Sequence, residues 1–396
     1  MKIALVCPAS LPATQFGGIL FLCVDLAREI SNLSHDVTIY TTNLDFANDG
    51  TTFNRNLPKK EKIQNFFIKR SHVWLRYSLF YVNPGMYFQL MKDSPDVIHT
   101  VGIKSFQSLI AYLVSKKKKI PLVISDQGGL TTHPFLETSG ILKKILYKIQ
   151  FPIIKSIIKQ ATIITVPNEY EKNIFKQFKD ENKIKIIRNG VNLQTLIPSK
   201  QNFKEKFNLT ENFILFVGRF SHSKGIDLLL RAIELLKNKQ ELENLKFVIM
   251  GVDFGYQEKM YQLINQLNIE NFVTVIRNPE RIDVIDAYRE CEFLILPSRW
   301  ELSPLVPLEG FAFKKTIIST DTDGIPYTVK NNINGLLFQR ENFKELSNLI
   351  LELLQNPEKR NTLGETGYQM VMDELNSKVM STKTLNVYET IKNSPN

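Results

Sequence analysis

Three cysteines in 396 residues, Cys7, Cys23 and Cys291, are too few, odd in number and too far apart for a disulfide framework. No C-x-x-C pair offers a zinc ligand set, so a reducing, cytoplasmic compartment is expected. No apolar stretch reaches the roughly 18 residues that cross a bilayer. The apolar start Ile3 to Val6 is stopped by Pro8, too short for a signal segment and readable as a first strand. Neither the P-loop pattern nor G-x-G-x-x-G occurs, which disfavours a P-loop nucleoside triphosphatase or an ordinary dinucleotide enzyme. Helix-turn-helix, zinc-finger, RRM and KH signatures are also missing. The four-lysine run Lys116–Lys119 therefore reads as a solvated loop, and no nucleic-acid partner is expected.

What is present is enough apolar residue, 43%, to fill more than one core, and a length that fits two α/β domains. Short apolar runs recur at Ile3–Pro8, Val37–Thr41, Phe66–Ile68, Val97–Thr100, Leu122–Ser125, Ile163–Pro167 and Ile184–Ile187, with helical periodicity between several of them. Strands alternating with helices predict a parallel, doubly wound sheet. The polar stretch 192–212, which contains Pro198, breaks the pattern and marks a boundary. A second set follows at Ile214–Val217, Phe247–Met250, Val273–Ile276, Phe293–Leu296, Ile317–Ser319 and Leu336–Phe338. From about Thr362 the chain reads as polar helices without a strand partner, and no internal repeat is present.

Two segments carry chemistry. The run Phe213–Val217 is followed by Gly218, Arg219, Phe220, Ser221, His222, Ser223, Lys224 and Gly225, then by a helical pattern from Ile226 to Leu236. At the carboxyl end of a parallel strand, the planar fork of Arg219 and the point charge of Lys224 can grip a diphosphate. The alternative is a surface turn with two solvated cations. Further on, Glu301 and Glu309 are separated by seven residues, Glu301 in a strand-to-helix loop and Glu309 on the helix itself. Both carboxylates are expected to face one crevice. Ionised carboxylates only accept hydrogen bonds and can hold paired sugar or ribose hydroxyls, while the helix start offers N–H groups to a phosphate. In isolation such a pair is more simply a solvated acidic loop.

Together, VGRFSHSKGIDLLLRAI, the segment from Glu301 to Glu309 and the following STDTDGIP resemble the retaining, nucleotide-sugar-dependent glycosyltransferases of family 4, the group 1 type. Further matches are Ile187–Asn192 (IRNGVN), Asp96–His99 and the Gly17–Gly18 pair after the first strand. The resemblance spans nearly the whole chain and is more specific in its second half. It implies an α/β chain of GT-B fold, with two Rossmann-like doubly wound domains facing a central cleft. Residues 1–192 would be the acceptor-binding domain, 193–365 the nucleotide-sugar-binding domain, and 366–396 helices that cross back to the first. It implies transfer of a hexosyl unit from a nucleoside-diphosphate sugar with retained configuration, with no metal or other cofactor. The nucleotide sugar and a glycan or lipid-linked acceptor would be the partners.

Carried over residue by residue, the resemblance gives Glu309 to the ribose and Glu301 to the donor sugar, with Arg219 and Lys224 stabilising the departing diphosphate. Ser303, Pro304 and Leu305 fall in the donor loop, where Ser303 and Leu305 have N–H groups to offer and Pro304 has none. Gly17 and Gly18 would let backbone approach a phosphate. A leaving-group oxygen would deprotonate the acceptor. Where the family commonly has a histidine this chain has Gln127, beside Asp126; Gln cannot titrate, and Asp126 is the nearest ionisable group. His133 reads as a loop residue. Asp323 and Tyr327 stand where glycine and glutamate are usual. Asp321–Thr322–Asp323 is a D-x-D like that of metal-dependent GT-A enzymes, but it follows a strand directly and reads as a turn.

Charge is unevenly shared. Residues 1–198 hold 26 Lys+Arg against 14 Asp+Glu, and residues 199–396 hold 24 against 26. All of the net +10 lies in the half assigned to the acceptor. Within it, Ser139–Gln160 has Ile and Leu at helical spacing, five lysines and no acid, and suits an anionic membrane surface as well as it suits a helix packed on the sheet. Pro152 should break or kink it. The aromatic stretch Phe66–Met91 reads as core, with an interfacial surface as the alternative. A GT-B activity on a soluble acceptor or sugar nucleotide, and a non-catalytic binding protein of the same fold, are the other functional readings.

Overall fold

A computed structural model describes residues 1–46, 52–77, 80–128, 130 and 141–393, without the side chains of 141–147. It divides into two compact units: residues 1–190 with 377–396, and residues 191–376. In the first unit the order is β1 (Lys2–Val6), α1 (Gly18–Asn32), β2 (Asp36–Thr42), β3 (Lys60–Ile63), β4 (Phe66–Ser71), β5 (Leu75–Tyr77), β6 (Phe80–Val82), α2 (Gly85–Asp93), β7 (Val97–Val101), α3 (Phe106–Lys118), β8 (Leu122–Ser125), α4 (Ile141–Gln160), β9 (Ile163–Val166), α5 (Glu169–Phe175) and β10 (Ile184–Ile186). The main sheet runs β10-β9-β8-β7-β1-β2-β4-β3, parallel except for β3 at its edge. The strands buried on both faces, such as Val97–Val101, are the continuous apolar runs that a covered parallel sheet demands.

The second unit contains α6 (Phe203–Lys206), β11 (Asn212–Val217), α7 (Ile226–Leu236), β12 (Leu245–Gly251), α8 (Gln257–Leu267), β13 (Val273–Arg277), α9 (Arg281–Glu290), β14 (Leu294–Leu296), α10 (Val306–Ala312), β15 (Ile317–Thr320), β16 (Leu336–Phe338), α11 (Phe343–Gln355) and α12 (Pro357–Asp373). Its six strands are all parallel, ordered β13-β12-β11-β14-β15-β16. The chain's last helix, α13 (Ser377–Asn393), packs against α1 in the first unit. Helix α12 stays with the second unit, so the return to the first begins at Ser377 rather than at residue 366. Tyr388 anchors α13: its hydroxyl meets Nδ1 of His99 on β7, and both side chains are buried.

Three short strands escape the apolar-run reading. Strand β3 is KEKI, a lysine-bearing edge whose side chains are not buried. Strands β5 and β6 pair only with each other. Three expectations need correction. The lysine run 116–119, expected as a loop, is the exposed last turn of helix α3 with Lys119 as its cap. Of the break or kink expected at Pro152, the break does not occur: helix α4 runs through it. Pro152 is exposed, so the carbonyl that loses its partner one turn earlier lies on the solvent side. The aromatics of Phe66–Met91 are not uniformly core: Phe66 and Tyr81 are fully buried, but Trp74, Tyr77 and Phe88 are exposed.

Candidate active site

The second unit's sheet order reverses at β11, which has β12 on one side and β14 on the other. Open parallel sheets bind ligands at the carboxyl ends of strands where the order reverses, because the flanking crossovers there leave a crevice. The loops after β11 and β14 carry the two chemical segments of the sequence, so the topology alone brings them to one edge.

Their contact is a backbone one. Gly225 has φ 65° and a Cβ there would stand 1.9 Å from the carbonyl oxygen of Pro297, so only glycine lets the first loop close on the second. The N–H of Arg299 donates to the Ser223 carbonyl at 2.8 Å. This closure places Lys224 Nζ in an ion pair with Glu301, both side chains about one-fifth exposed. Glu301 is fixed by its own backbone: its carbonyl accepts from Gly324 N–H at 3.1 Å, and its N–H points to Asp323 Oδ2 at 3.4 Å. Arg219 lies with its guanidinium 4.5 Å from the ring centre of Phe254, a cation–π contact that holds the fork at the strand end.

Beneath these groups lies Arg299. Its guanidinium donates to both oxygens of Asp227 at 2.7 Å, to Glu341 at 2.6 and 2.9 Å, and to the His222 carbonyl at 3.0 Å. Burial raises the Asp227 carboxyl, but the hydrogen bonds and charge of Arg299 outweigh it and hold the group below the usual range. Burial and the Arg299 charge together push the His222 imidazole down.

Glu309 sits on α10, a buried helix that begins directly after Ser303, Pro304 and Leu305. Arg281 grips it with two N–H groups at 2.5 and 3.2 Å, and the Tyr288 hydroxyl donates at 2.8 Å. Burial and the Glu309 charge push the Tyr288 phenol well up. The two glutamates therefore have separate partners, Glu301 a lysine on the neighbouring loop and Glu309 an arginine and a tyrosine of α9. Asp321–Thr322–Asp323 forms the turn after β15: the Asp321 N–H bonds the Phe338 carbonyl, and Asp323 has φ 49°.

In the first unit the sheet order reverses at β1, and Gly17 and Gly18 stand at the start of α1 just beyond it. Gly17 has φ 110°, a conformation that glycine adopts without strain. Asp126 and Gln127 follow β8. Asp126 is buried and accepts from the N–H of Leu130 at 2.8 Å. Gln127 and Asn189 exchange amide hydrogen bonds at 3.1 and 2.9 Å, so the residue in the expected histidine position is locked to the segment after β10. Burial and the nearby Asp126 charge push the Glu171 carboxyl well up, against a Gly128 N–H that lowers it. His133 lies outside the described residues.

Sequence reasoning missed Arg299, Arg281, Tyr288, Asn189 and Glu171. Arg281 and Tyr288 carried a signal, since seven residues on one helix are two turns and place both on one face. Arg299, two residues before Glu301, carried none, because its partners come from two distant segments, His222–Asp227 and Glu341.

Residues 199–370 match the family described as glycosyl transferases group 1, and residues 16–195 match glycosyltransferase family 4. An uncharacterised glycosyltransferase of Methanocaldococcus jannaschii is 28% identical over 70% of this chain and 72% of its own. An N,N'-diacetylbacillosaminyl-diphospho-undecaprenol alpha-1,3-N-acetylgalactosaminyltransferase of Campylobacter jejuni is 26% identical over 75% and 77% of the two chains. Anabaena HepE, solved in complex with UDP and glucose, superposes with TM-score 0.76 at 16% identity, covering 98% of this chain and all of the other.

Proposed function

The chain belongs to the family 4-type glycosyltransferases of GT-B fold, and from that premise we propose that it transfers a hexosyl unit from a nucleoside-diphosphate sugar to a lipid-linked or other glycan acceptor. We assign the reaction to the cytoplasmic face of a membrane, with retained configuration and no required metal. The observation that carries this reading is the closure of the Arg219–Lys224 turn onto the Glu301 loop at the reversal point of the second sheet.

Departure of a nucleoside diphosphate builds negative charge on phosphate oxygens, and stabilisation counts where that charge develops. Arg219 and Lys224 supply two cations at the strand end that the fold family uses for ligands. Glu301, already paired with Lys224, can exchange that partner for sugar hydroxyls while the lysine turns to phosphate. Glu309 accepts three hydrogen bonds, and a carboxylate has room for about one more from a ribose hydroxyl. The Campylobacter relative's named acceptor is diphospho-undecaprenol-linked, and the Anabaena neighbour's complex holds UDP and glucose; both favour this chemistry. No helix among the described residues is long and apolar enough to cross a membrane. Surface attachment has support from α4, which exposes Lys148, Ile149, Ile153, Lys155 and Lys159 side by side.

The test incubates the protein with labelled nucleotide sugars and undecaprenyl-linked acceptors in the presence of a chelator. The expected product keeps the donor's anomeric configuration by NMR and disappears with Lys224→Ala. An inverted anomeric centre, or activity abolished by the chelator, would contradict the corresponding part of the reading.

A further inference from the structure

We propose that the strand Leu75–Tyr77, with Trp74 before it, is the part of the first unit that enters the interfacial layer of an anionic bilayer. This rests on the membrane-facing part of the proposed function and names the element responsible. Trp74, Leu75 and Tyr77 are 76%, 67% and 50% exposed, the largest run of exposed apolar side chains among the described residues. Arg76 between them is exposed as well. Side chains on both faces of one short strand are thus in solvent, whereas a strand that belongs to a sheet hides at least one face.

The exposure is not looseness of the whole ribbon. The partner strand β6 is held: Tyr81 is fully buried against Phe16 and Phe53, and its carbonyl accepts from Gln107 at 2.8 Å. The Trp74 N–H reaches the Val82 carbonyl at 2.8 Å, and β5 pairs with β6 in register from Leu75↔Val82 to Tyr77↔Phe80. The fold therefore presents these apolar groups on a fixed support. Contiguous exposed apolar surface marks an interaction site, and its chemistry names the partner. Tryptophan and tyrosine collect at the membrane–water interface, where an apolar body and a polar tip are both accommodated, and arginine reaches headgroups from there.

Charge points the same way. From Phe66 to Met91 there is no acidic residue. Of the three cations there, Lys69 pairs with Asp93 and Arg70 with Glu61, while Arg76 stays exposed next to the apolar side chains; from outside the stretch, exposed Arg55 meets His72 at 2.9 Å. Charge alone would suit anionic headgroups and an acidic protein surface alike, but the apolar run also requires an apolar receiver, which a bilayer provides. The position also fits: β5 leaves from the carboxyl end of β4, the same sheet edge that carries Gly17 and Asp126, and Tyr81 rests on Phe16 next to Gly17. A lipid-linked acceptor would be presented to that edge by the membrane itself.

The test uses the full chain with Trp300→Phe, leaving Trp74 as the one tryptophan. Vesicles of phosphatidylcholine with phosphatidylglycerol should shift its emission to the blue, and bromine-labelled acyl chains should quench it. Joint replacement of Trp74, Leu75 and Tyr77 by Ser should weaken vesicle binding at least about tenfold, roughly 1.4 kcal/mol. Donor nucleotide binding and turnover of a short-chain, water-soluble acceptor should be unchanged. Vesicle flotation with unshifted, unquenched Trp74 emission would overturn the inference and leave α4 as the attachment. No flotation on these vesicles would overturn it together with the membrane part of the proposed function. Absence of donor binding in the unsubstituted chain, which keeps Trp300, would instead sink the donor assignment, whatever the vesicles show.

Discussion

Replacing Arg299 by Met removes the strut that ties the Lys224 loop to the Glu301 loop. All of its guanidinium contacts are made with Asp227, Glu341 and the His222 carbonyl, and its side chain is only 6% exposed. Removing one partner of a buried ion pair costs roughly 3–5 kcal/mol because the other charge is left without compensation. The Glu341 arm is half exposed and adds at most about 1 kcal/mol. Asp227 lies in the first turn of α7, where the helix dipole recovers on the order of 0.3–1 kcal/mol. The expected loss is therefore about 3 kcal/mol, read by urea unfolding at neutral pH with an unchanged slope. There is a pH signature too. The Asp227 carboxyl is held below its ordinary value of about 3.9, so its contribution is present above that pH and is lost as pH falls through the folded value. Arg299→Met should flatten this acid limb, and nucleotide affinity should fall with stability. A loss below about 1 kcal/mol with an unaltered acid limb would refute the strut.

Lys224→Ala should leave the unfolding midpoint almost unchanged, since the pair with Glu301 is partly solvated, yet abolish measurable transfer; retained turnover would remove Lys224 from the site. Gly225→Ala should destabilise the second unit and weaken nucleotide binding together, because a Cβ 1.9 Å from the Pro297 carbonyl forces the two loops apart; an unchanged melting temperature would contradict the close approach. Tyr288→Phe should cost about 1 kcal/mol through the lost hydrogen bond to Glu309 and raise the Kd for nucleotide more than it lowers kcat. His99 is buried and its imidazole is pushed down to about 3, so it is neutral when folded. Unfolded, it titrates near about 6.5, so stability is complete above that pH and declines below it, by about 2 kcal/mol at about pH 5. His99→Gln should remove that part of the slope in acid unfolding; an identical slope would place the titration elsewhere.

The fold was legible where it rests on repetition. Continuous apolar runs separated by helical periods identified the parallel strands of both sheets, because strands buried on both faces leave no polar alternation to obscure them. Strands β3 and β5 were missed for the opposite reason: KEKI and LRY carry charge and bury little. The positions of Arg219, Lys224, Glu301 and Glu309 followed from strand-end placement, and the structure brings Lys224 onto Glu301. What could not be read was pairing across distance. Arg299 reaches Asp227 and Glu341, and Gln127 finds Asn189, only once the loops are folded. The aromatic stretch misled because composition does not say which side of a strand lacks a neighbour; Tyr81 found one in Phe16 and Phe53, and Trp74 did not share it.

Thermal shift of the purified, metal-free protein against UDP, GDP, ADP and TDP and their common sugar conjugates tests the donor assignment most directly. One base family should raise the melting temperature, by roughly 2.7 kcal/mol of stabilisation at about 100 times the Kd, and the shift should vanish with Glu309→Ala. No shift with any nucleotide, or a shift that Glu309→Ala leaves intact, would contradict a donor site built on Arg219, Lys224, Glu301 and Glu309.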